Sequence, residues 1–157
     1  MMRLVIDSLV AVMLAAVLAG VIIHNRGQDE QMLAVETTRT SLRQIDRQLA
    51  LRITLEQVDL TDTGHPRTID PSWFQGELPR NTLLDAARPW MDIAGLEDRD
   101  RVHPWNIAAT DGRTAAFWYN PYQGVVRARV PQALTDREML DLYNRVNATK
   151  LESMTGR

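Results

Sequence analysis

Few side chains in this sequence stand at spacings that could do chemistry. The three histidines, His24, His65 and His103, are far apart, and the last two each precede a proline. A metal site from His65 and His103 with nearby carboxylates is conceivable, but turn or surface positions account for both better. Glu97, Asp98 and Asp100 in "GLEDRDR" hint at a calcium loop, yet Arg99 and Arg101 interrupt the carboxylates and the spacing fits no EF-hand. No glycine-rich phosphate loop and no G-x-S-x-G nucleophile elbow occurs. The aromatic run "FWYNPY" could offer a sugar or nucleobase platform, although aromatics in a strand of a small sheet more often pack as core. Asn147-Ala148-Thr149 is a glycosylation sequon at an expected helix end. No catalytic residue, metal or cofactor is therefore assigned. One carboxylate stands out by its surroundings: Asp7 lies inside the apolar run "LVIDSLVAVMLAAVLAGVII".

That run, Leu4 to Ile23, has the roughly 20 residues a helix needs to cross a bilayer core. A cleaved signal peptide ending near "AVLAG" is the alternative, but Val21-Ile22-Ile23 continue the run past that site. The expectation is an uncleaved anchor over residues 1–24. Arg3 is the only charge before the span, which favours a cytoplasmic N-terminus and a periplasmic or extracellular remainder. A net charge of −2 argues against a nucleic-acid partner, and the absence of cysteine excludes a disulfide framework.

Residues 25–58 read as an amphipathic helix continuing from the anchor. Val35, Thr38, Leu42, Ile45 and Leu49 alternate spacings of three and four, which puts them on one stripe. Glu36 with Arg39, and Arg43 with Asp46, are i,i+3 pairs on the wet side. Gly27 could mark a bend or a break. The stripe is expected to pack on the chain's own core rather than form a coiled coil.

Residues 59–157 form the expected soluble α+β domain. Its first part is punctuated by Gly and Pro, leaving room only for short helices such as Thr82 to Ala87. Trp73, Phe74, Leu83, Leu84, Trp90 and Met91 mark it as ordered loop. Over about residues 105–131 the pattern reads as an antiparallel meander. Asp111-Gly112 suits a type I′ hairpin, and Asn120 to Gly124 a longer turn. Val126, Ala128 and Val130 alternate with Arg127 and Arg129, one face buried and one wet. Thr135 to Glu138 fits a capping box opening a C-terminal helix over about residues 135–148, with fraying after about Thr149. The fold class is α+β: a long N-terminal helix, half transmembrane and half amphipathic, packed on a small antiparallel sheet, with a C-terminal helix.

This layout resembles the type IV pilins and type II secretion pseudopilins. The residues carrying the likeness are "LVIDSLVAVMLAAVLAGVIIHNR", then "TTRTSLRQIDRQLALR", then "FWYNPYQGVVRARVP". The resemblance implies a filament or secretion subunit that acts by helix packing, with pilin or pseudopilin subunits, an inner-membrane assembly platform and membrane lipid as partners. It puts Asp7 in the place of the family's registration acid, and implies that Leu14, Val17 and Val21 pack between neighbouring membrane helices. Met2 stands where the family has glycine and Arg3 where it has phenylalanine. The kinking proline is absent from Val21 to Asn25, so an atypical minor subunit or an assembly-platform component is implied. Two other readings stay open: Asp7 as an N-cap before Ser8, and a bitopic anchored protein whose domain binds a protein or envelope ligand without forming a filament.

Overall fold

The computed structural model describes the backbone of residues 2–133 and 135–153, and side chains at Met13 and from Arg26 onward. The chain divides into two compact units, Met1–Leu33 and Ala34–Arg157. One helix, α1 (Met2–Thr54), runs unbroken through Gly27. The helix expected to continue from the anchor does so, and the bend or break that Gly27 left open does not occur: one glycine costs about 1 kcal/mol, which neighbouring helical turns can outweigh. Because α1 starts at Met2, Asp7 lies more than a turn inside the helix and is not its N-cap. Among the described residues, no helix is long and apolar enough to cross a membrane. The side chains of the run Leu4–Ile23 lie outside those residues.

The second unit is α+β, as expected. Its strands are β1 (Met91–Ile93), β2 (Ala108–Ala109), β3 (Phe117–Asn120), β4 (Val125–Ala128) and β5 (Val130–Pro131), followed by α2 (Asp136–Asn147). The order β1-β3-β4 makes a three-stranded sheet, and β2 with β5 a separate pair. The sheet is mixed rather than antiparallel. β3 and β4 form the expected hairpin, with Tyr119 opposite Val126. β1 runs parallel to β3, with Met91 beside Phe117, and β2 runs parallel to β5.

The expected meander fails at Asp111-Gly112. Instead of forming a type I′ turn, the Asp111 carboxylate accepts from the Thr114 N–H and hydroxyl at 2.8 and 2.6 Å. These side-chain bonds, with the Arg113 N–H also donating to Asp111, shape a loop that leads the chain from β2 into β3 without pairing the two strands. The Asn120–Gly124 turn is as expected, with Gly124 at φ +63°.

The core forms where the α1 stripe meets the sheet. Val35, Leu42, Ile45 and Leu49 cluster with Phe117, Tyr119, Val126 and Ala128, and α2 adds Leu142, Tyr143 and Val146. The stripe predicted from spacing is thus the buried face, with Ile45 fully covered. Trp73 and Phe74 join the core, while Leu83, Leu84, Trp90 and Met91 pack partly against it. The short helix expected at Thr82–Ala87 is absent; the 3-10 turns of this half lie at Pro71–Trp73 and Leu96–Asp98. At α2 the capping box is present in full, with the Thr135 hydroxyl and Glu138 carboxylate each taking the other's backbone N–H. Fraying does not begin at Thr149, because the Asn144 amide donates to the Leu151 carbonyl and accepts from its N–H, each at 2.8 Å.

Candidate assembly surface

The first part of the site is the helix seat. Thr38 is a polar residue in an apolar stripe, and it is fully buried. Its hydroxyl donates to Asn81 Oδ1 at 3.3 Å and accepts from the Thr82 N–H at 3.1 Å. Asn81 is buried too, and its Nδ2 donates to the carbonyls of Ala116 (3.0 Å) and Arg129 (2.7 Å). The Leu83 N–H donates to the same Asn81 Oδ1. One carboxamide thereby ties α1, the loop before β1, and the backbone flanking β3 and β4, leaving no polar end of Asn81 unmet.

The second part is a pair of clefts sharing Asp46, Val126 and Arg127. The larger, about 350 Å³, includes Leu49, Ile53, His65 and Gly124. Asp46 does not pair with Arg43 as expected; partial desolvation where it lines the two clefts shifts its carboxyl upward from the ordinary aspartate value, with Arg127 opposing. Glu36 and Arg39 do pair, at 2.7 Å, and Arg39 also donates to the Arg145 carbonyl at 2.9 Å.

The third part is the loop between β1 and β2. Fully buried Asn120 donates from Nδ2 to the carbonyls of Asp98 and Arg101, both at 2.7 Å. That clamp fixes the loop carrying Trp105, the one exposed aromatic among the described residues, at 68%. The Trp105 N–H donates to Asp98 at 2.8 Å. The Arg101 guanidinium lies 3.6 Å from the ring centroid. A stacked, hydrogen-bonded and exposed indole is already ordered before any partner arrives.

Sequence-assigned residues separate clearly. Asp7, Leu14, Val17 and Val21 fall within the helical backbone of α1, but their side chains lie outside the described residues. His65 packs beside Gly124. His103 shares a 3.0 Å hydrogen bond with the Tyr143 hydroxyl. No metal-ligand cluster occurs among the described residues. "FWYNPY" is core, not platform: Phe117, Trp118 and Tyr119 are buried. The sequon asparagine is engaged, since the Asn147 side chain bonds both main-chain groups of Ala128.

Arg129 corrects the alternation. It was expected on the wet face, yet it is buried, with Nε on the Asn106 carbonyl (3.0 Å), one terminal nitrogen on Ala115 O (3.1 Å) and the other on Asp92 (2.8 Å). A fork of donors can be buried where a point charge cannot. Compared with models of known protein families, with curated proteins and with solved structures, the chain matches none.

Proposed function

We propose that this chain is a pilin-like or pseudopilin-like, membrane-anchored subunit of a secretion system or type IV filament, acting by helix packing and assembly rather than catalysis. The observation that carries the reading is α1 itself. A single helix holds both the apolar run Leu4–Ile23 and the stripe Val35–Leu49 that seats an α+β domain. In this reading residues 1–24 anchor the chain in the inner membrane with the N-terminus cytoplasmic and the domain periplasmic or extracellular. Leu14, Val17 and Val21 pack against neighbouring membrane helices, and Asp7 pairs with a neighbour to set register. An unpaired carboxylate in a bilayer costs several kcal/mol, so a pairing role gives it a reason to stay.

The second reading, a bitopic protein whose domain binds a protein or envelope ligand without a filament, is favoured by one feature, the preordered Trp105. Cysteine crosslinking from Leu14 or Val17 in native membranes separates the two. Self or pilin adducts, lost on Asp7→Ala while insertion persists, support the subunit. A chain that never crosslinks through its membrane helix is not one.

A further inference from the structure

We infer that the two clefts sharing Asp46, Val126 and Arg127 form one binding groove for a carboxylate flanked by an N–H donor and an apolar side chain. That is the chemistry of a peptide's carboxyl end, and of a free N-acyl amino acid. The groove stands apart from the assembly reading, since none of its residues belongs to the run Leu4–Ile23.

One wall is a face of α1. Arg39, Arg43, Asp46, Ala50 and Ile53 line it at alternating steps of four and three. Opposite runs β4, the outer strand of its sheet, with the end of α2 at Asn147 beside it. The two clefts measure about 350 and 330 Å³, each enough for a small ligand.

The strand edge supplies the first donor. Ala128 turns both main-chain groups away from β3, where the Asn147 side chain meets them. In an antiparallel pair that direction repeats at every second residue, so Val126, opposite Tyr119, turns its N–H and carbonyl the same way. The Val126 carbonyl accepts from Arg127 Nη1 at 3.1 Å. Its N–H has no partner among the described residues, although Val126 is only 5% exposed. A main-chain donor on so covered a residue calls for an acceptor.

Arg127 supplies the second. Its Nε donates to the Val102 carbonyl at 3.0 Å, and with Nη1 this pins the guanidinium at the same edge. Nη2 has no partner among the described residues. The two oxygens of a carboxylate suit a fixed guanidinium nitrogen with an N–H at the same edge.

Charge selects the guest's head group. The groove is lined by three arginines and Asp46, and Glu36 neutralises Arg39 at 2.7 Å. Arg43, Asp46 and Arg127 make no ion pair among the described residues. Two uncompensated guanidiniums therefore face one carboxylate, a balance that favours a monoanion, and His65 can add only to the positive side. Asp46 makes no hydrogen bond among the described residues either, which leaves it to accept from a donor beside the guest's acid. Such a donor would offset the partial desolvation Asp46 meets there. Leu42, Leu49 and Val146 give the guest's side chain an apolar wall.

The test uses full-length protein in non-ionic micelles, with protein-free micelles as blank. The probe is a hexapeptide ending in leucine and dye-labelled at its amino end. Saturable fluorescence anisotropy is expected, with binding about tenfold weaker when the peptide ends as a carboxamide. Equal binding of the carboxamide, or no saturation by either peptide, overturns the groove as an acid site. Arg43 is exposed and unbonded, so Arg43→Gln should weaken binding several-fold with the thermal midpoint unchanged; unchanged binding overturns the charge selection. Among competitors, N-acetyl-L-leucine should displace the probe at lower concentration than 4-methylpentanoate, which lacks the N–H. Asp46→Ala should abolish that preference, and a preference that survives it overturns the role of Asp46. Unlabelled peptide competing better than N-acetyl-L-leucine identifies a chain end as the guest, and equal competition a free acid; both support the shared chemistry.

Discussion

The side chain of Asn147 stands in for a strand beside Ala128. It accepts from the Ala128 N–H at 2.7 Å and donates to the Ala128 carbonyl at 2.9 Å. β4 is the outer strand of its sheet on that side, and α2 thereby closes an edge that would otherwise present unpaired groups.

Replacing Asn147 by Asp keeps the acceptor and removes the donor, so the Ala128 carbonyl loses its partner. The expected cost is about 1–3 kcal/mol in denaturant unfolding. A loss within experimental error would show that water replaces the amide freely. The same geometry predicts that the sequon stays unmodified wherever the protein is folded, which intact mass would check.

Arg129 makes a sharper case, since three acceptors share one guanidinium. Lysine keeps the charge but cannot reach three directions from one nitrogen. Arg129→Lys is expected to lose about 1–3 kcal/mol, measured as above. Asp92 is half exposed, so Asp92→Asn should cost less than the arginine change. The reverse order would mean that the ion pair, not the fork, holds the site.

The helix seat predicts a position-dependent series along α1. Ile45 is fully buried, so Ile45→Ala should cost about 2–5 kcal/mol. Leu51 on the same helix is 46% exposed, and Leu51→Ala should change stability by about 0.5 kcal/mol or less. Similar losses at the two positions would mean that the helix docks on another face.

These residues also show what could be read in advance. The stripe Val35 to Leu49 was legible because a helix buries one face at a fixed period, and Thr135 to Glu138 because a cap is local chemistry. The mixed sheet was not. β1 pairs with β3 and β2 with β5 across long stretches of chain, and parallel pairing leaves no turn signature between partners. Arg129 read as wet because residue type was taken for environment, and the acceptors that bury it come from distant loops. Trp105 was hidden for the opposite reason: nothing in "HPWNI" tells an exposed indole from a core one. Groups distant in sequence determine how that loop stands, among them buried Asn120 on the Asp98 and Arg101 carbonyls and Arg129 on that of Asn106.

His103 links the fold to pH. Burial, with Arg127 and Arg101 adding to it, holds the imidazole below the usual histidine pKa, and Tyr143 shares its hydrogen bond. The folded protein thus binds this proton less readily than the unfolded chain. The contribution is complete above the unfolded value of about 6.5 and is lost as pH falls from there through the folded pKa. Wild-type protein should lose more of its thermal midpoint than His103→Gln between about pH 7.5 and 5. Parallel losses would remove His103 as the source.

Gly124 carries two constraints that a double substitution can separate. Its φ of +63° is a conformation that residues with a Cβ adopt at a cost of about 1–2 kcal/mol. A Cβ added there would also meet the His65 ring, which therefore has to move. Gly124→Ala should destabilise through both, and His65→Ala alone should cost only the packing of a half-buried ring. If the two constraints are independent, Gly124→Ala in the His65→Ala background should cost only the backbone part, less than in wild type. The difference is then the steric coupling between turn and ring, read directly from a double-mutant cycle in denaturant. A coupling of zero would mean that His65 swings aside freely, and the cleft it shares with Asp46 would then have a movable wall.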